Sequence, residues 1–115
     1  MSLTSLDHPP GVVRAYLDAC TRDDRRAAAE CFTESAVVVD DGSTYRGREA
    51  ISRWIGRSST EYTYTSTPTA AVRRDGTHWN VTQRVEGGFP GGVVDLDYAF
   101  TLDDAGITEL VINPV

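Results

Sequence analysis

The chain has 115 residues, 40% of them hydrophobic and 24% charged, with a formal net charge of −6. That is chain enough for one domain with one core, and the balance of apolar and charged residues excludes a disordered segment. The negative charge, with the basic residues scattered as in Arg25-Arg26 and Arg73-Arg74, argues against nucleic acid or an anionic membrane surface as partner, and no apolar run approaches the roughly 20 residues that span a bilayer.

Residues 1–8 are expected to be mobile. They lack a basic stretch followed by an apolar one, so no export signal is read there and a cytoplasmic location is expected. A first helix begins near Pro9-Pro10, because proline suits a helix's first turn. Val12, Val13, Tyr16, Leu17 and Cys20 then share one face at helical spacing. After a break over 21–24, Asp24 is placed to cap a second helix with Ala27, Ala28, Cys31 and Phe32 on its buried side. Cys20 and Cys31 read as two buried thiols of a reducing compartment; the alternative is a disulfide between the helices, which needs Cα atoms within about 7 Å.

Ala36 to Val39 is apolar and β-branched, which favours a strand running up to Asp40. Asp41-Gly42 marks a turn. Tyr45 precedes a third helix over about 47–56, with Ile51, Trp54 and Ile55 as its core face. From Glu61 the pattern becomes β. Over 61–74, Tyr62, Tyr64, Ala70 and Val72 alternate with threonines, alanine and arginine, and Asp75-Gly76 is a hairpin signal. The strand 78–86 puts Trp79, Val81, Gln83 and Val85 on one face. A glycine-rich connection over 87–92 carries Phe89 and Pro90. The strand 93–103 puts Val94, Leu96, Tyr98, Phe100 and Leu102 on one face, and a turn through 104–106 leads to a last strand over 107–113. Three early helices and a run of long antiparallel strands define an α+β domain in which the helices cover the apolar face of the sheet.

Tyr16-Leu17-Asp18-Ala19-Cys20, the Asp23-Asp24 break, Cys31-Phe32 ahead of Ser35 to Asp40, Tyr45 to Ile51 and the closing Phe100 to Ile107 resemble the nuclear transport factor 2-like superfamily, in particular its SnoaL-like and ketosteroid isomerase-like members. The resemblance covers nearly the whole of residues 1–115 as a single domain. It implies a cone: three N-terminal helices packed on a strongly bent, mostly antiparallel sheet, with a pocket at the open end. The fold hosts isomerases, dehydratases, cyclases and non-catalytic binding domains alike.

In the steroid isomerases a tyrosine on the first helix and an aspartate at the end of the first strand line that pocket, and Tyr16 and Asp40 stand where those would. The resemblance therefore implies that Asp40 and Tyr16 are catalytic. A carboxylate among apolar side chains becomes a better base, because burial penalises its charged form. A phenol can hold the oxyanion that forms. The competing readings are a turn aspartate that bonds local amides and a core tyrosine bonded within the protein. The isomerases' second acid has no counterpart: Asp97 has the outward parity, and Tyr98 takes the inward slot. Trp54, Gln83, Tyr98, Trp79 and Phe89 are the candidate substrate-binding residues; the aromatics read equally as core, and Gln83 as a strand-end residue near solvent. His78 reads as solvated. No metal-ligand spacing, phosphate loop or nucleophile elbow is present, so no metal or cofactor is expected. The expected ligand is a small apolar carbonyl compound, isomerised, dehydrated or cyclised after proton abstraction; the alternative is a non-catalytic binding or dimerisation domain. A homodimer is expected through the outer sheet face, where Thr63, Thr65, Thr67, Asn80, Thr82 and Thr101 lie.

Overall fold

The apolar stripe that follows the proline pair winds into α1, Gly11–Thr21, with Val13, Tyr16 and Ala19 buried. In this computed structural model the described residues are 11–22, 24–40, 42–61, 64–87 and 92–114, the side chains of 57–61 and 64–65 excepted; the expectations for residues 1–10, Tyr62, Thr63 and Phe89 fall outside them. Cys20 is exposed and Cys31 half-buried, which corrects the expectation of two buried thiols. Cys20 sits in the last turn of α1, where the neighbouring Ala19 meets the core instead. The Cys31 thiol donates to the Ala27 carbonyl at 3.3 Å, and burial followed by the Glu30 charge pushes its pKa up.

Asp24 caps α2, Arg25–Glu30, by accepting from the Ala27 N–H at 3.1 Å. The helix ends at Glu30 with Cys31 as its cap, so Phe32 is the first residue of β1, Phe32–Asp40, and not part of the helix face. Ala29 takes the buried place beside Ala28. A hairpin joins β1 to β2, Ser43–Arg46, pairing Val38 with Tyr45 and Asp40 with Ser43. The sequence reading missed β2, because four residues between Gly42 and Gly47 look like turn. Gly47 ends the hairpin with φ +87, a conformation that favours glycine, and donates its N–H to the Ala36 carbonyl at 2.8 Å. Helix α3, Arg48–Glu61, runs longer than expected and buries Ile51, Trp54 and Ile55 as read from its spacing.

Strands β3, Tyr64–Arg73, β4, His78–Gly87, β5, Val93–Asp103, and β6, Gly106–Pro114, form an antiparallel meander. Its last strand lies parallel to β1, which gives one six-stranded sheet in the order β2-β1-β6-β5-β4-β3. The register slips between Pro68 and Ala70, between Thr101 and Leu102, and between Phe32 and Val37; irregularities of this kind bend a strand and sharpen its twist. The first of them overturns one expectation. Skipping Thr69 changes parity, so Ala71 pairs with inward Val81 and is buried, while Val72 faces out, 49% exposed.

The core lies between the helices and the inner sheet face, where Val13, Tyr16, Ile51 and Trp54 meet Phe32, Val38, Phe100 and Leu110. Gly106 brings the start of β6 against the corner between α2 and β1. Its N-terminal neighbours turn on Asp103, whose carboxylate accepts from the Ala105 and Gly106 N–H groups. A Cβ at Gly106 would lie 2.7 Å from the Cys31 carbonyl oxygen, the same oxygen that accepts from the Ile107 N–H at 2.9 Å.

Candidate functional site

Strand pairing sorts the inner face into rows. Val38, Leu110, Phe100 and Trp79 align across β1, β6, β5 and β4, and Asp40, Ile112, Tyr98 and Val81 form the next row. One row further on, Leu96 opposes Gln83, and Val94 opposes Val85 beyond it. Val38, Leu110 and Phe100 are sealed, whereas Tyr98, Leu96 and Val94 are partly exposed. The β5 side chains are therefore sealed at one end of the inner face and partly exposed toward the other, while Gln83 and Val85 on β4 stay buried; the polar side chains Asp40, Tyr98 and Gln83 occur toward that second end.

Asp40 is the last residue of β1 and half-buried. Its Oδ2 accepts from the Trp54 indole Nε1 at 3.0 Å. That indole is held on the buried face of α3 between Ile51 and Ile55, with the Tyr45 ring tilted against it at 6.1 Å. Among the described residues the ion pairs involve other carboxylates: Asp24, Glu30, Glu49, Asp75 and Asp95. Asp40 is thus a part-buried carboxylate with a neutral N–H donor and no cation among the described residues. The bond to α3 replaces the expected alternative of a carboxylate turned back on its own turn.

Tyr16 is 3% exposed. Its ring meets Phe32 edge-on at 5.4 Å and Phe100 at 5.8 Å. Tyr98 stacks on the same Phe100 at 6.3 Å, so Tyr16 and Tyr98 belong to one aromatic cluster. Asp40 lies in the row of Tyr98, two strands away, a separation of about 10 Å between backbones. Gln83 is 5% exposed and faces inward between Val81 and Val85, which rules out a solvated strand end. Trp79 is buried opposite Phe100, in the closed part of the core. Asp97 points outward, as its parity predicts, and accepts twice from the Asn80 amide at 2.9 and 3.1 Å.

Two contributors escaped the sequence reading. Tyr45 reaches Trp54 because β2 is a strand facing Val38. Arg48 donates to the Phe32 carbonyl, beside the stretch where the register of β1 shifts. His78 is exposed and bonded to Asp75, away from this end of the sheet. The Asp75 carboxyl accepts from the Thr77 backbone, then from the His78 ring, and these bonds hold its pKa down at about 2. Among the described residues, no three metal-ligating side chains cluster, and no helix is long and apolar enough to cross a membrane.

Three helices on a mixed six-stranded sheet, with a polar end to an otherwise apolar inner face, define the cone-shaped α+β class also known as the nuclear transport factor 2-like fold. The SnoaL-like domain model matches residues 13–109, and the chain belongs to that family. A structure from Sinorhizobium meliloti, described as a candidate polyketide cyclase, is 36% identical over 91% of this chain and 95% of that one, with a TM-score of 0.87. A protein with a ketosteroid isomerase-like fold from Catenulispora acidiphila, in complex with trimethylamine, is 26% identical over 92% of this chain and 86% of that one, with a TM-score of 0.81. A Mycobacterium tuberculosis protein in complex with estradiol-17beta-hemisuccinate shares the fold at 15% identity over 88% of each chain, with a TM-score of 0.74. No curated protein matches significantly.

Proposed function

We propose that the polar end of the inner face binds a small apolar carbonyl compound and that Asp40 removes a proton from the carbon beside the carbonyl. The observation that carries this reading is the Trp54–Asp40 bond. It occupies one carboxylate oxygen and fixes the group, leaving Oδ1 to meet a C–H. In the step, the C–H pair moves into the C–C bond, the carbonyl pair moves onto oxygen, and the Tyr16 hydroxyl donates to the resulting enolate. A positioned base and a fixed donor at the developing charge are the two requirements of such chemistry. Isomerisation, dehydration and ring closure all start from that enolate. The likeness to the S. meliloti protein supports a cyclic polyketide-type ketone as the substrate class.

A second reading, a binder of the same ligands without turnover, is favoured by Tyr98 in the inward slot where the isomerases carry a second acid. Incubating the protein with 1-tetralone in D2O separates the two. The enzyme reading predicts deuterium entering the carbon beside the carbonyl faster than in buffer, and an exchange rate roughly two to four orders of magnitude lower in Asp40→Asn. Binding of the ketone without accelerated exchange would leave the binder reading standing.

We further propose a homodimer formed through the outer sheet face. Val72, Asn80, Ala99, Val111 and Val39 are successive partners across β3, β4, β5, β6 and β1, an uncharged row that supports burial against a second copy.

A further inference from the structure

Gln83 is the one polar residue among the buried side chains of the described core. Its carboxamide brings two donors and an acceptor into an apolar face. Val81 and Val85 flank it along β4, Leu96 opposes it on β5 and Pro68 on β3. Among the described residues its side chain has no hydrogen-bond partner. Proteins pair nearly all such groups, because a buried unpaired amide forfeits its hydration for nothing. A leucine or methionine would fill this place with no such penalty. The glutamine lies toward the end of the face where Leu96 and Tyr98 of β5 are partly exposed, a diagonal neighbour of Tyr98 and three strands from Asp40.

We propose that Gln83 is a specificity residue whose carboxamide hydrogen-bonds a second oxygen function, a hydroxyl or carbonyl, on the ligand's end remote from Asp40. The inference rests on the reading of this face as the binding site and adds the substrate class: a small ring ketone oxygenated at both ends rather than a simple hydrocarbon ketone. A carboxamide donates to a carbonyl and accepts from a hydroxyl, so it serves either group. A site built around a buried amide also disfavours a ligand that leaves the amide unpaired.

The test uses the purified full chain, Gln83→Met and Gln83→Leu, with 6-hydroxy-1-tetralone and 1-tetralone as probes, read by calorimetry and thermal melts. Without ligand, both variants should melt at or above the wild-type temperature, by up to about 5 °C, because they delete an unpaired buried amide. The wild-type protein should favour the hydroxylated probe roughly tenfold, and both variants should lose that preference while still binding 1-tetralone. Variants that melt several degrees lower would reveal an internal partner for Gln83 and overturn the proposal. So would a wild-type protein that binds both probes equally, or variants that keep the preference. Failure of the wild-type protein to bind either probe at millimolar concentration would overturn the reading of the inner face on which the proposal stands.

Discussion

The Trp54–Asp40 contact makes a separable claim about each partner. Removing the N–H in Trp54→Phe leaves Oδ2 of a part-buried carboxylate without its donor. Hydrogen bonds to charged groups contribute about 1.5–3 kcal/mol, so the variant is expected to lose stability of that order, less what water recovers, in a urea titration. Asp40→Asn keeps an acceptor for the same indole, so the fold should survive the substitution that removes the base. An Asp40→Asn protein that melts like the wild type yet no longer exchanges the ketone's proton would assign Asp40 to chemistry rather than to structure. Tyr98→Phe tests a different atom. Its ring stacks on Phe100, and the ring survives the change, so any loss of ligand affinity belongs to the hydroxyl.

Among the elements, the junctions carry the sharpest expectations. Gly106→Ala places a methyl 2.7 Å from the Cys31 carbonyl oxygen at a φ of +144. The β6 strand must then shift from the α2–β1 corner, and a loss of about 2 kcal/mol or more is expected. At the β3–β4 turn, the folded Asp75 carboxyl titrates near 2, below its ordinary 3.8. A depressed folded value means that the turn's contribution to stability is complete above about pH 4 and fades as the pH falls through 2. A carbon-13 carboxyl titration should find that midpoint, and an Asp75 that titrates near 4 would show that the Thr77 and His78 bonds do not persist in solution.

These same junctions mark what could be read from the residues and what could not. The α3 face, the inward parity of Gln83 and Tyr98 and the Asp75-Gly76 hairpin follow from period and turn chemistry, and the structure keeps all of them. Val72 falls on the face opposite to the one its alternation implies, because the ladder skips Thr69 beside Pro68, a residue type that marks an edge strand or a bulge without saying which. Strand β2 was missed because a four-residue strand stands between two glycines, and Tyr45 was missed with it. The bond from Trp54 to Asp40 spans 14 positions and depends on how α3 crosses the end of β1, which no local pattern encodes.

For the whole molecule, the open question is what covers the outer face of the sheet. All three helices bury their apolar sides against the inner face, and the chain supplies no second layer for the outer one among the described residues. The centre of that face is the row Val72, Asn80, Ala99, Val111 and Val39; the Asp97 carboxylate flanks it, neutralised in part by its two bonds from the Asn80 amide, and further charge lies outward in the Arg84–Asp95 pair, 3.2 Å apart, and at Glu109, which aligns with Thr101 and Val37. An apolar centre with a polar rim is the anatomy of a protein interface, and two copies related by a twofold axis would each present the same row. The expected particle is therefore twice the 12.5 kDa chain. Val111→Arg would set a charge at the centre of the row and, by symmetry, close to its own copy across the axis, where burial makes repulsion and desolvation act together. Val111 is only half-buried in the isolated chain, so the arginine can reach solvent in a monomer and the fold should stand. Sedimentation equilibrium at micromolar concentration should give a dimer for the wild type and a monomer for Val111→Arg with unchanged circular dichroism. A wild-type protein that sediments at 12.5 kDa would overturn the dimer and leave the valine row as an uncovered surface of a monomer.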